Sequence, residues 1–311
     1  MRITKKDLRP MLATLIDEPF DDPDWIYEIK WDGFRVMARI ERGSVTLLSR
    51  SGIDVTKKYP VIADALKDIQ SDVVIDGELV ALDRRGVSHF QLLQRYAEKP
   101  ASLYYYVFDL LFKDGTDVRR KPLLERKRAL RSILPKTGRV RYSEHIARRG
   151  SAFFISAARR GLEGIIAKRA IGRYYSDTRT REWLKIKCAH EQEAIIVGFT
   201  KPKGSRKHFG SLVLAVFEGK RLAYVGHSGG GFDERTLRSL HKTMLTLKSA
   251  KPLMGQVARE SDVTWIRPKL VAEIKFTEWT KSGQMRHPVF LGLRNDKPAR
   301  MVIREVPKRR V

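Results

Sequence analysis

Short apolar runs broken by Asp-Gly and Ser-Gly pairs fill residues 26–110, and this rhythm restricts the fold more than any other feature of the chain. Residues 26–29, 34–40, 45–48, 73–76, 78–82 and 104–110 read as strands, rich in β-branched and aromatic side chains and bounded by turn formers. Helical spacing interrupts them. Over 60–69, Val61, Ile62, Ala65, Leu66 and Ile69 share a helical face; 123–133 follows Pro122; 152–160 lies between Gly150 and Gly161. Hairpin-like strand pairs mixed with isolated helices imply an α+β fold with largely antiparallel sheets rather than regular βαβ alternation.

The texture changes after Trp183-Leu184-Lys185-Ile186-Lys187. Residues 194–199, 212–217, 222–225 and 271–276 read as strands and 234–247 as a helix, a pattern whose simplest small fold is a five-stranded barrel with an inserted helix. A chain of 311 residues exceeds what one core usually organises, so two domains are expected, 1–190 and 191–311. The basic loop 201–208 and the glycine-rich loop 228–232 stand out, but neither leads from a strand through Gly-Lys-Ser/Thr into a helix as a phosphate loop does.

Sixty-two Lys and Arg against thirty-six Asp and Glu leave +26. The excess is spread evenly, +13 up to residue 190 and +13 beyond it, so it belongs to the body of the protein. Such a body either binds a polyanion such as nucleic acid or carries a strongly solvated basic surface. Cys188 is the only cysteine, which excludes an internal disulfide framework and a multi-cysteine zinc cluster and suits a reducing compartment. The first residues lack the apolar core of a signal peptide, and no charge-free run is long enough to cross a bilayer; a cytoplasmic protein is expected.

The chemistry concentrates in Glu28-Ile29-Lys30-Trp31-Asp32-Gly33-Phe34-Arg35. Lys30 ends a strand before an Asp-Gly turn, so its amine is expected to project into whatever cleft the sheet lines. From Phe34 to Ile40 the residues alternate, placing Arg35, Met37 and Arg39 opposite Phe34, Val36, Ala38 and Ile40. Asp76-Gly77-Glu78 and Glu163-Gly164 each put a carboxylate beside an apolar strand. In 183–187, period two sets Trp183, Lys185 and Lys187 on one face, where two ammonium groups repel unless an anion lies between them. From residue type alone Phe108, beside Tyr104, Tyr105 and Tyr106, also suits a core, Glu28 an edge-strand surface, and Arg50 a solvated turn.

These segments, with Leu48-Ser49-Arg50-Ser51-Gly52 and Val107-Phe108-Asp109-Leu110, resemble the nucleotidyltransferase superfamily of covalent ligases and capping enzymes, most closely the ATP-dependent DNA ligases. In the second half, Phe209-Gly210-Ser211-Leu212, Tyr224-Val225-Gly226, Phe276-Thr277-Glu278-Trp279 and 290–297 resemble the ligase component of bacterial ligase D and its stand-alone relatives. The resemblance implies a nucleotidyltransferase domain followed by an oligonucleotide-binding barrel, and ATP-dependent sealing of 3′-hydroxyl/5′-phosphate nicks in DNA repair through a covalent lysyl-AMP. It makes Lys30 the nucleophile, Glu28 the acceptor for the adenine amino group, Phe108 the ring stacked on the base, and Glu78 and Arg35 the ribose contacts. Lys185 and Lys187 would neutralise the α-phosphate, and Arg50 and Arg181 would touch phosphate or nucleotide. Arg294, Asp296 and Lys297 would orient the leaving pyrophosphate, and Glu163 with Glu78 would hold Mg²⁺ or Mn²⁺, hard cations suited to oxygen.

Free lysine titrates near 10.4 and is almost wholly protonated at neutral pH; Lys185, Lys187, Arg35 and a bound metal are expected to lower that value at Lys30. The implied partner is nicked duplex DNA, with a Ku-type end-binding protein as an open further partner, no membrane, and a monomeric protein. Few residues precede Met11, so two basic domains are expected to grip the duplex through its phosphates, with the tail Lys308-Arg309-Arg310 as an added contact. A capping guanylyltransferase and an RNA ligase share the lysine chemistry; a silent oligonucleotide-binding protein would share only the fold.

Overall fold

The computed structural model describes residues 3–4, 6–94, 96, 102–135, 138–202, 204, 206–250, 253–254 and 262–307; the basic tail and part of the loop 201–208 lie outside them. The chain divides into two compact units, Met1–Cys188 with Val306–Val311, and Ala189–Glu305.

The first unit is built on two sheets. One contains β1 (Leu12–Leu15), β2 (Asp22–Ile29), β9 (His145–Arg148), β10 (Gly164–Arg169) and β11 (Arg179–Lys187), in the order β1-β11-β10-β2-β9. The other contains β3 (Phe34–Glu41), β4 (Ser44–Ser49), β5 (Val73–Leu82), β6 (Ser102–Lys113) and β7 (Thr116–Asp117), in the order β4-β3-β5-β6-β7, with β8 (Val140–Tyr142) parallel to β6. Helices α1 (Pro60–Leu66), α2 (Phe90–Gln94) and α3 (Leu123–Ile133) put Ile62, Leu66, Phe90, Leu93 and Leu130 into the core that holds Phe34, Val36, Ala38 and Ile40. Helix α4 (Gly150–Arg159) packs Ala157 with Tyr27, Ile165, Ala167, Leu184 and Ile186, the covered face of the first sheet. The opposite faces of both sheets meet in a third cluster, where Met37, Val74 and Phe108 join Trp183, Tyr174 and Met11. Period two therefore gives each sheet one face for its own core and one for the space between the sheets.

Strand β2 pairs with β9 and β10 while β3 pairs with β4 and β5, so residues 30–33 carry the chain from one sheet to the other. One expectation needs correction: Asp76-Gly77 does not make a turn. β5 runs unbroken through it, with only a register shift against β6, because Gly77 leaves room for Tyr105, whose hydroxyl donates to the Val36 carbonyl at 2.7 Å. A Cβ at Gly77 would lie 2.6 Å from the Tyr106 carbonyl oxygen and 2.7 Å from the Tyr105 ring.

The second unit is a five-stranded antiparallel sheet of β12 (His190–Thr200), β13 (Leu212–Glu218), β14 (Arg221–Ser228), β15 (Val263–Phe276) and β16 (Val289–Leu293), ordered β14-β13-β12-β15-β16. Its edges approach at a bridge between Gly230 and Val289, where the Phe290 N–H donates to Gly230 at 3.0 Å, an OB-like closure. Helix α5 (Glu234–Leu245), capped by the Asp233 side chain, buries Leu240 and Met244 against this core. β15 is longer than the expected 271–276, and Pro268 is accommodated where the pairing with β12 shifts register. Among the described residues no helix is long and apolar enough to cross a membrane.

Gly77→Ala is expected to destabilise the first unit by about 2 kcal/mol or more, since backbone and a buried ring must both move. A lowered urea-unfolding midpoint measures it.

Candidate active site

Lys30 follows the last residue of β2, and its backbone N–H donates to the Gly164 carbonyl at 2.9 Å. Gly164 in turn pairs with Lys187 on β11, so Lys30, Gly164 and Lys187 form one row across three strands. Two residues back, Glu28, Ile166 and Lys185 form the next row, and Ile26, Lys168 and Trp183 the one after. The sequence separations are large, but strand register makes these residues neighbours. From the facing sheet, Arg35 and Glu78 are cross-strand partners, as are Met37 and Asp76. The structure thus brings Glu28, Lys30, Arg35, Glu78, Phe108, Glu163, Lys185 and Lys187 to the inter-sheet space.

The Lys30 ammonium forms an ion pair with Glu163, both side chains being largely buried. Burial pulls its pKa down and Lys187 adds to that, but Glu163 and, more weakly, Glu78 outweigh them, so the pKa lies above the usual lysine value. This corrects the expectation of a lowered value: the carboxylate next to the amine dominates the cations.

Arg35 makes a bidentate pair with Asp76 (2.8 and 2.6 Å) and donates to the Met11 carbonyl at 3.1 Å. Asp76 is fully buried and also accepts from the Tyr174 hydroxyl at 2.6 Å. The Arg35 guanidinium lies 4.9 Å from the Phe108 ring and 5.2 Å from Trp183, and Lys168 lies 4.2 Å from each of the same rings. Phe108 is therefore a nearly buried ring flanked by cations, at the wall of the site as well as in a core.

Glu28 is not a surface charge. It is 1% exposed, its Oε1 accepts from Lys127 on α3 at 2.8 Å, and its Oε2 pairs with Lys168 at 2.9 Å. Burial alone would raise its pKa, but the two lysines hold it below the ordinary 4.5. Lys168 is pushed down to about 8 by burial, with Lys127 adding to the push and Glu28 opposing it. Behind Phe108, Asp109 and Arg126 form a bidentate pair (2.7 and 2.8 Å) with both side chains wholly buried.

The remaining expected residues are spread wider. Arg50 is half-buried in the turn after β4, and Arg181 is exposed on β11, on the face of Trp183 and Lys185. Arg294, Asp296 and Lys297 belong to the second unit and gather there: Arg294 is bidentate to Asp296 (2.9 and 2.8 Å) and 3.5 Å from Glu273, and Lys297 pairs with Glu193. Among the described residues no group of three or more His, Cys, Asp or Glu forms a ready metal cage. Glu163 and Glu78 offer the oxygen donors that a cation shared with phosphate would need.

Sequence reasoning gave no site role to Lys127, Lys168, Asp76 or Tyr174, although Asp76 and Lys168 lie within the matched motifs. Lys127 carried a signal, since Leu123, Lys127 and Leu130 fall on one face of α3 at helical spacing.

Two outcomes follow from the pairing. Arg126→Met, leaving Asp109 buried without its guanidinium, is expected to cost about 3–5 kcal/mol in chemical unfolding. Because Glu28 titrates lower folded than unfolded, its contribution is full above pH 4.5 and lost as pH falls through the lowered folded value. Glu28→Gln should therefore flatten the acid limb of a stability-against-pH curve.

The ATP dependent DNA ligase domain model matches residues 10–187, and that of the ATP dependent DNA ligase C terminal region matches 205–297. The chain is 39% identical to the multifunctional non-homologous end joining protein LigD of Pseudomonas aeruginosa, over 96% of this chain and 37% of that protein. It is 31% identical to the SPbeta prophage-derived DNA ligase-like protein LigB of Bacillus subtilis, over 90% of this chain and 97% of the relative. The chain spans about two fifths of the length of the LigD relatives it matches. Among solved structures, a mycobacterial DNA ligase D complexed with ATP and MES aligns at 32% identity with a TM-score of 0.71, covering 96% of this chain and 99% of that one. With matches running through both units, the chain belongs to the ATP-dependent DNA ligase family.

Proposed function

We propose that the chain seals 3′-hydroxyl/5′-phosphate nicks in duplex DNA through a covalent lysyl-AMP on Lys30. The observation that carries this reading is the row Lys30, Gly164, Lys187, with Glu163 against the amine. A nucleophile held by its backbone, beside a carboxylate and a strand-mounted cation, suits attack on a phosphate anion.

In the first step Lys30 Nζ attacks the α-phosphorus of ATP, forming a P–N bond as the bond to pyrophosphate breaks. The ammonium must first lose a proton, and its ion pair with Glu163, which retains that proton, would weaken once Glu163 holds a divalent cation. Lys187 favours the neutral amine, and with Lys185 it would neutralise charge building on the α-phosphate. Glu28 would accept from the adenine amino group, Phe108 stack on the base, and Arg35 and Glu78 hold the ribose. In the second step a DNA 5′-phosphate oxygen attacks the same phosphorus and Lys30 leaves as the amine, regaining a proton. In the third the 3′-hydroxyl attacks the 5′-phosphate and AMP departs, leaving a phosphodiester.

A divalent cation, Mg²⁺ or Mn²⁺, would be held by Glu163 and Glu78 and would supply Lewis-acid stabilisation of phosphate charge. Arg294 and Lys297 would orient pyrophosphate, exchanging internal carboxylate partners for phosphate oxygens, while Asp296, the carboxylate that holds Arg294, would position that guanidinium; Arg50 and Arg181 would contact the DNA or nucleotide phosphates. The +26 charge supports a duplex grip made mainly to phosphates. End joining is the setting we propose, resting on the name of the Pseudomonas relative.

Incubation with α-labelled ATP and a divalent cation should label the chain, and nicked duplex should then discharge the label as AMP while the strand lengthens. Lys30→Ala should abolish labelling; labelling that survives it would refute the assignment. Nick affinity should fall steeply between about 50 and 200 mM salt, by a factor on the order of 10³ if some six phosphates are contacted, as a binding titration would measure.

A further inference from the structure

Resting on the reading of Glu28 as the acceptor for the adenine amino group, the geometry points to Lys127 as a positioning residue for purine selectivity. From α3 it holds the Glu28 carboxylate as a fixed acceptor and so favours a 6-aminopurine nucleotide over a 6-oxopurine one.

Lys127 is 1% exposed, and its ammonium has no donor left for a nucleotide. Of its three N–H groups, one reaches Glu28 Oε1 at 2.8 Å and one the Ser143 carbonyl at 3.1 Å, with the Phe108 carbonyl 3.5 Å away. It therefore acts on a bound base through Glu28. The anchor behind it is itself fastened: the Ser143 N–H donates to Val107 at 2.8 Å, and Ser143 Oγ accepts the Trp31 indole N–H at 3.1 Å, one residue from Lys30.

Glu28 needs this hold because its second oxygen is tied to Lys168, which comes from β10 in the same sheet, whereas Lys127 comes from α3 beside the facing sheet. With both oxygens held from different elements, the carboxylate can neither rotate freely nor take up a proton at neutral pH. An ionised carboxylate only accepts hydrogen bonds. The 6-amino group of adenine offers it a donor; the 6-oxo group of guanine offers lone pairs, which an immobile anion repels. A site built around a fixed hydrogen-bonding group rejects the mismatched ligand far more strongly than an apolar pocket does.

The test compares labelling of the full chain by α-labelled ATP and α-labelled GTP across a double-mutant cycle of Lys127→Met and Glu28→Gln. Lys127→Met should raise KM for ATP about tenfold, leave the labelling rate at saturating ATP within about threefold, and shrink the ATP-over-GTP preference about tenfold. Glu28→Gln should shrink the same preference, because an amide can turn to donate or accept. Adding Lys127→Met to Glu28→Gln should then change the preference no further. That comparison also removes the buried carboxylate, so it serves if Lys127→Met alone does not fold. An unchanged preference in folded Lys127→Met or in Glu28→Gln, or a second tenfold shift in the Glu28→Gln background, would overturn the inference while leaving the ligase reading intact. No labelling of the unaltered chain by ATP would overturn both.

Discussion

The crossing between the two sheets of the first unit holds the site together. The chain leaves β2 at Ile29 and enters β3 at Phe34, and every residue of the link is fastened. Lys30 bonds through its N–H to Gly164; the Trp31 indole stacks on Tyr106 with centroids 3.7 Å apart; Asp32 donates its N–H to Ser88 and accepts the Phe90 N–H; and Gly33 lies so close to Leu79 that a Cβ would be 2.2 Å from its carbonyl oxygen. The position of the Lys30 amine is thus a property of both sheets at once, and local chain flexibility has little say in it.

Around that crossing, charge is buried and paired. Lys30 with Glu163, Arg35 with Asp76, Arg126 with Asp109, and Glu28 with Lys127 and Lys168 all sit where water is scarce. Such pairs are poor sources of net stability, because desolvation consumes most of the Coulombic gain. Their consequence is positional: each carboxylate or cation has one low-energy arrangement, set by partners on other elements. The second unit repeats this with Arg294, Asp296, Glu273, Lys297 and Glu193, a set of cations already provided with internal anions. Polar groups kept in defined places before any ligand arrives need little reorganisation when charge develops.

Much of this was legible beforehand. The alternation from Phe34 to Ile40 separated the Arg35 face from the core face, and Trp183, Lys185 and Lys187 share a face as period two requires. The helix after Pro122 spans Leu123–Ile133, as its spacing implies. Motif order carried the family, and the family carried the pairing of an α+β unit with an OB-like barrel. What misled was punctuation. Asp-Gly reads as a turn wherever it occurs, yet at Gly77 the glycine serves a tyrosine ring packed beneath a continuous strand.

From the residues alone came the list of chemical groups, the two-part architecture and the face each strand turns inward, because these follow from side-chain type and short-range periodicity; the singling out of Lys30 came from the family resemblance of the motifs. The tertiary structure decided which charges neutralise one another. Glu163 rather than the neighbouring lysines governs Lys30, and Glu28 lies buried between Lys127 and Lys168 instead of at a surface. Those contacts join residues about 100 or more positions apart, and electrostatic energies depend on separations of a few ångströms and on the loss of water. Neither quantity exists until register and packing bring distant segments together.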